Sequence, residues 1–112
     1  MKTYRQQLII TSDQPEQFLN LSYEVEECVR RSLITDGLCV VYSQHTTSAV
    51  FLENDREELY SDWSKMLGKI VPHESDYKVD YSSAGAAHMK QMLLGASVTV
   101  PVTDGRMELG PR

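Results

Sequence analysis

The sequence has no apolar run long enough to cross a bilayer, and residues 1–8 are too polar for a secretory signal. Basic residues are also scarce, because 11 Lys and Arg face 16 Asp and Glu, which gives a formal net charge of −5. A protein that coats nucleic acid needs a basic stripe, and the cations here are scattered. We therefore expect a cytoplasmic protein with neither a membrane nor a nucleic acid as its partner.

Cysteine is nearly absent. The two residues present, Cys28 and Cys39, form neither a CxxC pair nor a disulfide framework. Cys28 falls on the apolar face of a predicted helix and Cys39 in an apolar run, so we expect both to be buried as small hydrophobic side chains. A redox role is the alternative.

The length of 112 residues, 41% of them apolar, fits a single domain with one hydrophobic core over residues 1–112. A chain of this size buries only about two-thirds of the surface that its unfolded state exposes. Association with further copies would add to its stability.

Apolar residues at spacings of three and four predict helices over residues 22–36, 55–68 and 86–94. Ser22 and Asp55 are the expected N-caps, and Glu58 lies three residues after Asp55 as in a capping box. Gly95 is expected to end the third helix. Residues 72–85 lack periodicity and are expected to form a long surface loop, which in a small domain is commonly functional.

β-Rich stretches predict strands over residues 2–11, 38–42, 49–52, 98–102 and 107–109. Asp104-Gly105 is a two-residue hairpin signal and joins the last two strands. Helices and strands are interspersed, but the short hairpin connection favours an α+β fold over a doubly wound parallel sheet.

Three histidines are the first candidates for chemistry. His45 directly follows a predicted buried strand and precedes two hydroxyl side chains, Thr46 and Thr47, while His88 lies on the third helix and His73 in the long loop. An isolated histidine is more often a structural or surface residue than a ligand. Without an HExxH motif or cysteine ligands, the sequence itself gives only a weak metal signal.

An ordered set of motifs resembles the YjbQ-like family. The set is HTT after an apolar strand, AHMK followed by LLG, SVTVPV, and DGR closing on Leu109-Gly110. Residues 80–83 before the His88 helix fit the same pattern. The resemblance runs from about the first strand to the last residue, and its specificity lies in the order and spacing of the motifs.

The resemblance implies an α+β fold with a β-sandwich and two to three helices, assembled as a homotrimer. The activity ascribed to the family is that of a secondary thiamine-phosphate synthase, which couples a pyrimidine methyl diphosphate to a thiazole phosphate. A non-catalytic module that binds a small phosphorylated or anionic ligand is the alternative, and a remnant that has lost the site is a third.

Carried over residue by residue, the resemblance implies His45, His88 and Arg106 as catalytic residues. It implies His45 and His88 as ligands of a divalent metal, with zinc as the expected ion because imidazole suits it. It also implies five ligand-binding residues: Thr46, Thr47, Asp80, Lys90 and Asp104. Loss of pyrophosphate needs stabilised negative charge, to which Arg106 or Lys90 would contribute.

The chain departs from the family pattern in three places. Val79 stands where relatives carry a histidine, and a valine cannot ligate a metal; His73 would have to reach in from the loop instead. Asn54 stands where relatives carry a glutamate, with Glu53 one position away. The chain also ends before the last strands that the family carries, so it is expected to be a truncated form, a fragment, or a protein that pairs an open sheet edge with another subunit.

Overall fold

A computed structural model describes residues 1–79 and 84–110 of the chain. It contains three helices and three strands, which confirms the α+β expectation. The helices are α1 (Ser22–Ser32), α2 (Glu57–Ile70) and α3 (Ala84–Leu94), and the strands are β1 (Gly37–Tyr42), β2 (Ser97–Thr103) and β3 (Arg106–Met107). Within the described residues, no helix combines the length and the apolar character that crossing a membrane requires.

The three strands form one antiparallel sheet in the order β1-β2-β3. Val102 pairs with Met107 and Thr103 with Arg106 across the β2–β3 hairpin. The turn residues Asp104 and Gly105 have φ values of 52° and 78°, the left-handed conformation that a two-residue turn with the twist of its strands requires. The Asp-Gly hairpin prediction is confirmed.

The described chain divides into two compact units. The first comprises residues 1–39 with 99–110, and the second residues 40–98. Strands β1 and β2 each contribute residues to both units.

The buried apolar residues of the first unit come from α1 and β2. Val25 and Val29 of α1 are 7% exposed, and Val100 and Val102 of β2 are 2% and 5% exposed. The helix places its two valines one turn apart on the same face, and the strand turns alternate residues to one side of the sheet. The helical spacing in α1 and the alternation in β2 therefore each give one apolar face to the core.

The core of the second unit is built from α2 and α3. Leu67, Val71 and Ala86 are at most 5% exposed. Trp63 adds an aromatic cluster, with its ring centre 5.3 Å from Phe51 in an edge-to-face arrangement and 5.1 Å from Tyr60. Such aromatic geometry contributes beyond the area that the rings bury.

Two predicted strands are absent from the described sheet. Residues 2–11 and 49–52 belong to no strand, and β3 covers only Arg106–Met107 rather than residues 107–109. A strand is defined by a ladder of backbone hydrogen bonds to a neighbour. Local β-propensity supplies suitable residues but not the neighbour, so both predictions were wrong.

The predicted boundaries of α1 need correction. Leu21 occupies the N-cap position, and Ser22 is the first helical residue, whose N–H donates to Oδ1 of Asn20 at 2.9 Å. The helix ends at Ser32, before the predicted stop, because Leu33 adopts a left-handed conformation with φ of 59°. Its N–H then donates to the Arg30 carbonyl at 3.2 Å.

The predicted caps of α2 were also wrong. Arg56 takes the N-cap position, so Asp55 lies one residue too early and instead accepts a hydrogen bond from the Tyr60 hydroxyl at 2.5 Å. Glu58 pairs with Arg56 at 3.3 Å rather than closing a capping box. Gly68 does not end the helix, which continues to Ile70.

Helix α3 begins at Ala84, within the predicted loop, and ends before Gly95, whose φ of 94° suits a helix-ending glycine. Of the predicted loop, residues 80–83 lie outside the described part of the chain. Cys28 and Cys39 are half-buried free thiols rather than fully buried ones.

Candidate functional site

The HTT motif forms a tight turn that begins two residues beyond the end of β1. The Ser48 N–H donates to the His45 carbonyl at 3.3 Å, which closes the turn over Thr46 and Thr47. The Ser43 and Ser48 hydroxyls are hydrogen-bonded to each other, so the two ends of the turn are joined. His45, Thr46 and Thr47 are exposed. The turn therefore presents an imidazole and two hydroxyl groups to solvent.

Backbone hydrogen bonds tie this turn to the end of α3. The Ser43 N–H donates to the Ala96 carbonyl at 2.8 Å, and the Val50 N–H donates to the Gly95 carbonyl at 3.2 Å. Both bonds lie within the second unit. The segment 43–50 is thus held at the C-terminal end of the helix that carries His88.

Helix α3 presents two of the predicted site residues. His88 and Lys90 are half-buried, and Lys90 already interacts with a neighbouring group. Residues 84–94 and 43–50 contain no Asp or Glu. The charge of Lys90 and the donor groups of the two segments suit an anionic ligand.

The loop before α3 packs tightly against the first turn of that helix. A Cβ added at Gly85 would lie 2.2 Å from the Val79 carbonyl oxygen and 2.5 Å from Cβ of Tyr77. The Tyr77 hydroxyl donates to the Pro72 carbonyl at 2.6 Å, which fixes the loop from its other side. Position 79, for which the resemblance implies a histidine, is therefore held beside the N-terminal turn of the helix that bears His88.

Arg106 and Asp104 belong to the first unit. Asp104 is an exposed hairpin residue. Arg106 lines a groove of about 310 Å3 whose other walls come from α1 and the hairpin: Glu26, Glu27, Val29, Arg30, Gly105 and Met107. Neither residue belongs to the unit that holds the HTT turn and α3.

The described residues do not supply a ligand set for zinc. Over residues 1–79 and 84–110, no three His, Cys, Asp or Glu side chains gather around a point where a metal could bind. Structural zinc takes four protein ligands and catalytic zinc three. Asp80 lies outside the described residues. The zinc expectation therefore rests on the resemblance alone.

Three residues that shape the site were not singled out from the sequence. Ser43 and Ser48 close the HTT turn, and Gly85 allows the loop to approach α3. The serines lie two residues before and one residue after the motif, and Gly85 lies in the small-residue run 84–87, which is a signal for close backbone approach. Those patterns could have identified all three.

The fold and the exposed histidine turn define a small α+β protein, and comparisons with known proteins then place it in a family. Residues 6–112 match the family model described as UPF0047 protein YjbQ-like. A UPF0047 protein of Methanothermobacter thermautotrophicus is 33% identical over 98% of this chain and 78% of its own length. Another, from Archaeoglobus fulgidus, is 38% identical over 84% of this chain and 73% of its own length. The chain belongs to the YjbQ/UPF0047 family.

A solved structure agrees with this assignment. An uncharacterised YjbQ/UPF0047 protein of Clostridium acetobutylicum, an orthologue of Bacillus subtilis YugU, superposes with a TM-score of 0.84 at 29% identity. The match covers 91% of this chain and 79% of that protein. Neither the relatives nor this structure carries a described activity in its name.

Proposed function

We propose that the chain binds a small phosphorylated molecule at the HTT turn and α3, through His45, Thr46, Thr47, His88 and Lys90. The observation that carries this proposal is the tether between segment 43–50 and the end of α3, since it brings donors from two elements into one unit. Hydroxyl and imidazole N–H groups donate to phosphate oxygens, and Lys90 adds charge. Neither residues 43–50 nor residues 84–94 include an Asp or Glu.

Calorimetric titration with thiamine phosphate, and separately with inorganic pyrophosphate, tests this binding. We expect His45→Ala and His88→Ala each to weaken binding about tenfold or more, as loss of a hydrogen bond to a charged group does. His73→Ala is the matched control, because His73 is an exposed histidine of the loop. Equal affinity in all four proteins would refute the proposed site.

A second candidate is the transfer reaction of a secondary thiamine-phosphate synthase. The observation that favours it is that both family histidines, His45 and His88, are present on connected elements. In that reaction the carbon–oxygen bond of the pyrimidine methyl diphosphate breaks, the thiazole nitrogen forms the new bond, and pyrophosphate leaves. Protonated imidazole would stabilise the leaving charge.

Pyrophosphate release with both substrates distinguishes the enzyme from the binding module. Release that depends on both substrates and disappears in His45→Ala supports transfer, and binding without release supports the module.

Elemental analysis of wild type and Val79→His measures the zinc content of each protein. We expect wild type to hold less than one zinc per chain. One zinc per chain in wild type would instead support the zinc site that the resemblance implies at His45 and His88.

We also propose that the protein associates with further copies of itself. Val40 and Tyr42, alternate residues on one side of the edge strand β1, are 63% and 65% exposed. An apolar stripe on an unpaired edge strand favours pairing with another chain. Light scattering should give a multiple of 12.7 kDa for wild type and a smaller mass for Val40→Thr/Tyr42→Ser. A monomeric wild type would overturn this proposal.

A further inference from the structure

The two cysteines, for which the sequence favours a role as small hydrophobic side chains, lie in the same compact unit. Cys28 is on α1 and Cys39 on β1, and both are free and half-buried. Their proximity depends on the side of the helix that carries Cys28, the side of the sheet that carries Cys39, and the height of each above the connection between α1 and β1.

The side of the helix follows from the groove beside β3. Glu26 and Arg30 line this groove together with Arg106 and Met107, so the flank of α1 that carries them faces β3. At 100° per residue, Cys28 lies on the opposite flank of the buried Val25–Val29 stripe. Because the sheet order is β1-β2-β3, the flank opposite to β3 faces β1.

The side of the sheet follows from the alternation along β1. Leu38 and Val40 are 72% and 63% exposed, whereas Cys39 between them is half-buried. Successive side chains of a strand point to opposite faces. Cys39 therefore points to the face of the sheet opposite to that of Leu38 and Val40, which is the face on which α1 packs.

The height follows from the connection between the two elements. Residues 33–36 link α1 to β1 and begin with the left-handed Leu33, and the Gly105 N–H anchors the link by donating to the Thr35 carbonyl at 2.9 Å. Cys28 lies four residues before the end of α1, a rise of about 6 Å. Cys39 lies two residues into β1, a rise of roughly 6.6 Å. The two thiols thus reach the same level.

Electrostatics agree with this placement. Burial raises the pKa of the Cys39 thiol, and the charge of Cys28 raises it further. An electrostatic influence of Cys28 on Cys39 agrees with the placement of both residues in one unit.

We propose that Cys28 and Cys39 form a dithiol that a small-molecule disulfide converts to an intramolecular disulfide, which would join α1 to β1. In the first step the Cys28 thiolate attacks the small disulfide, forms a mixed disulfide and releases one thiolate. In the second step Cys39 loses its proton to solvent and attacks the Cys28 sulfur, which releases the second thiolate. Two protein thiols are oxidised, and one small disulfide is reduced to two thiols.

Oxidised glutathione is the probe, with the products read by peptide mass mapping after the remaining thiols are alkylated. We expect wild type in native buffer to lose two free thiols, to retain no glutathione and to contain a Cys28–Cys39 link within one chain. Cys28→Ser and Cys39→Ser are the matched controls, and each should retain one glutathione as a mixed disulfide. Two retained glutathiones, a link between chains or no reaction in wild type would each overturn the proposal.

A second measurement distinguishes two cysteines that the native fold holds close together from two that meet only through random motion of the chain. Conversion of the mixed disulfide to the internal link should slow in urea, and in native buffer it should accelerate as the pH rises, because Cys39 must lose its proton. The oxidised protein should show an unfolding equilibrium constant lower on the order of 100-fold, as closure of a short loop predicts. A link that forms faster in urea, or that leaves stability unchanged, would contradict a preformed pair.

Discussion

Replacement of Gly85 by alanine should destabilise the protein, although alanine is the better helix former. Gly85 is the second residue of α3, where alanine would ordinarily gain up to about 1 kcal/mol over glycine. The added Cβ would meet the Val79 carbonyl oxygen at 2.2 Å and Cγ of Tyr77 at 2.7 Å. A backbone oxygen cannot rotate aside as the end of a flexible side chain can, so the loop or the helix has to shift.

The expected magnitude follows from comparing the two effects. Overpacking of a close-packed site costs about 1–3 kcal/mol, and the contact with Val79 lies at the severe end. After the gain in helix propensity, we expect Gly85→Ala to lower the free energy of unfolding by about 2 kcal/mol. For a domain of this size that corresponds to a fall in Tm of roughly 10 °C.

Gly68 provides the matched control. It lies in α2, where nothing within 4 Å would meet an added Cβ, so Gly68→Ala should raise the free energy of unfolding by about 0.5–1 kcal/mol. Urea unfolding followed by circular dichroism at equal protein concentration measures both variants against wild type. If both alanine variants were stabilised alike, the close approach of the loop to α3 would be refuted.

Three further predictions concern other parts of the fold. Asn20→Ala should lower the free energy of unfolding by about 1 kcal/mol in urea titration, because the Ser22 N–H loses its partner at the start of α1; an unchanged midpoint would contradict that role. Gly105→Ala should cost about 1–2 kcal/mol in the same assay, since its φ of 78° disfavours a Cβ, whereas Gly68→Ala serves again as the control without this strain. Under reducing conditions, the stability of wild type relative to Cys39→Ser should be greatest below the ordinary thiol pKa of 9.0 and decline as the pH rises above it. The raised pKa of folded Cys39 means that the unfolded state loses this proton first, so a difference independent of pH would contradict the burial of this thiol.

Local structure was predicted correctly where the backbone preferences of a few neighbouring residues determine it. The Asp104-Gly105 turn was identified because two left-handed residues are needed there and this dipeptide tolerates them. The end of α3 was placed correctly for the same reason, since Gly95 adopts a positive φ. Prediction failed for Asp55 as a cap, because a shift of one residue in the helix start gave its carboxylate a different partner, Tyr60.

For the candidate site, the residue types were visible in the sequence but their grouping was not. His45 and His88 stand 43 positions apart in the chain, and hydrogen bonds from Ser43 and Val50 to residues at the end of α3 connect their elements. Arg106 was grouped with the histidines by the resemblance, whereas the structure describes it in a groove beside α1. A set of motifs gives the order of residues along the chain but not the distances between their side chains in the fold.

The sequence by itself determined the class of fold, the family, the hairpin turn and the helical faces, because periodicity, turn chemistry and motif order are properties of neighbouring residues. Only the tertiary structure decided which apolar stretches became strands, since a strand needs a hydrogen-bonded partner from elsewhere in the chain. It also decided that Gly85 must remain a glycine, and it placed Cys28 and Cys39 in the same compact unit. Both depend on the approach of segments that are separated in sequence, which no local pattern encodes.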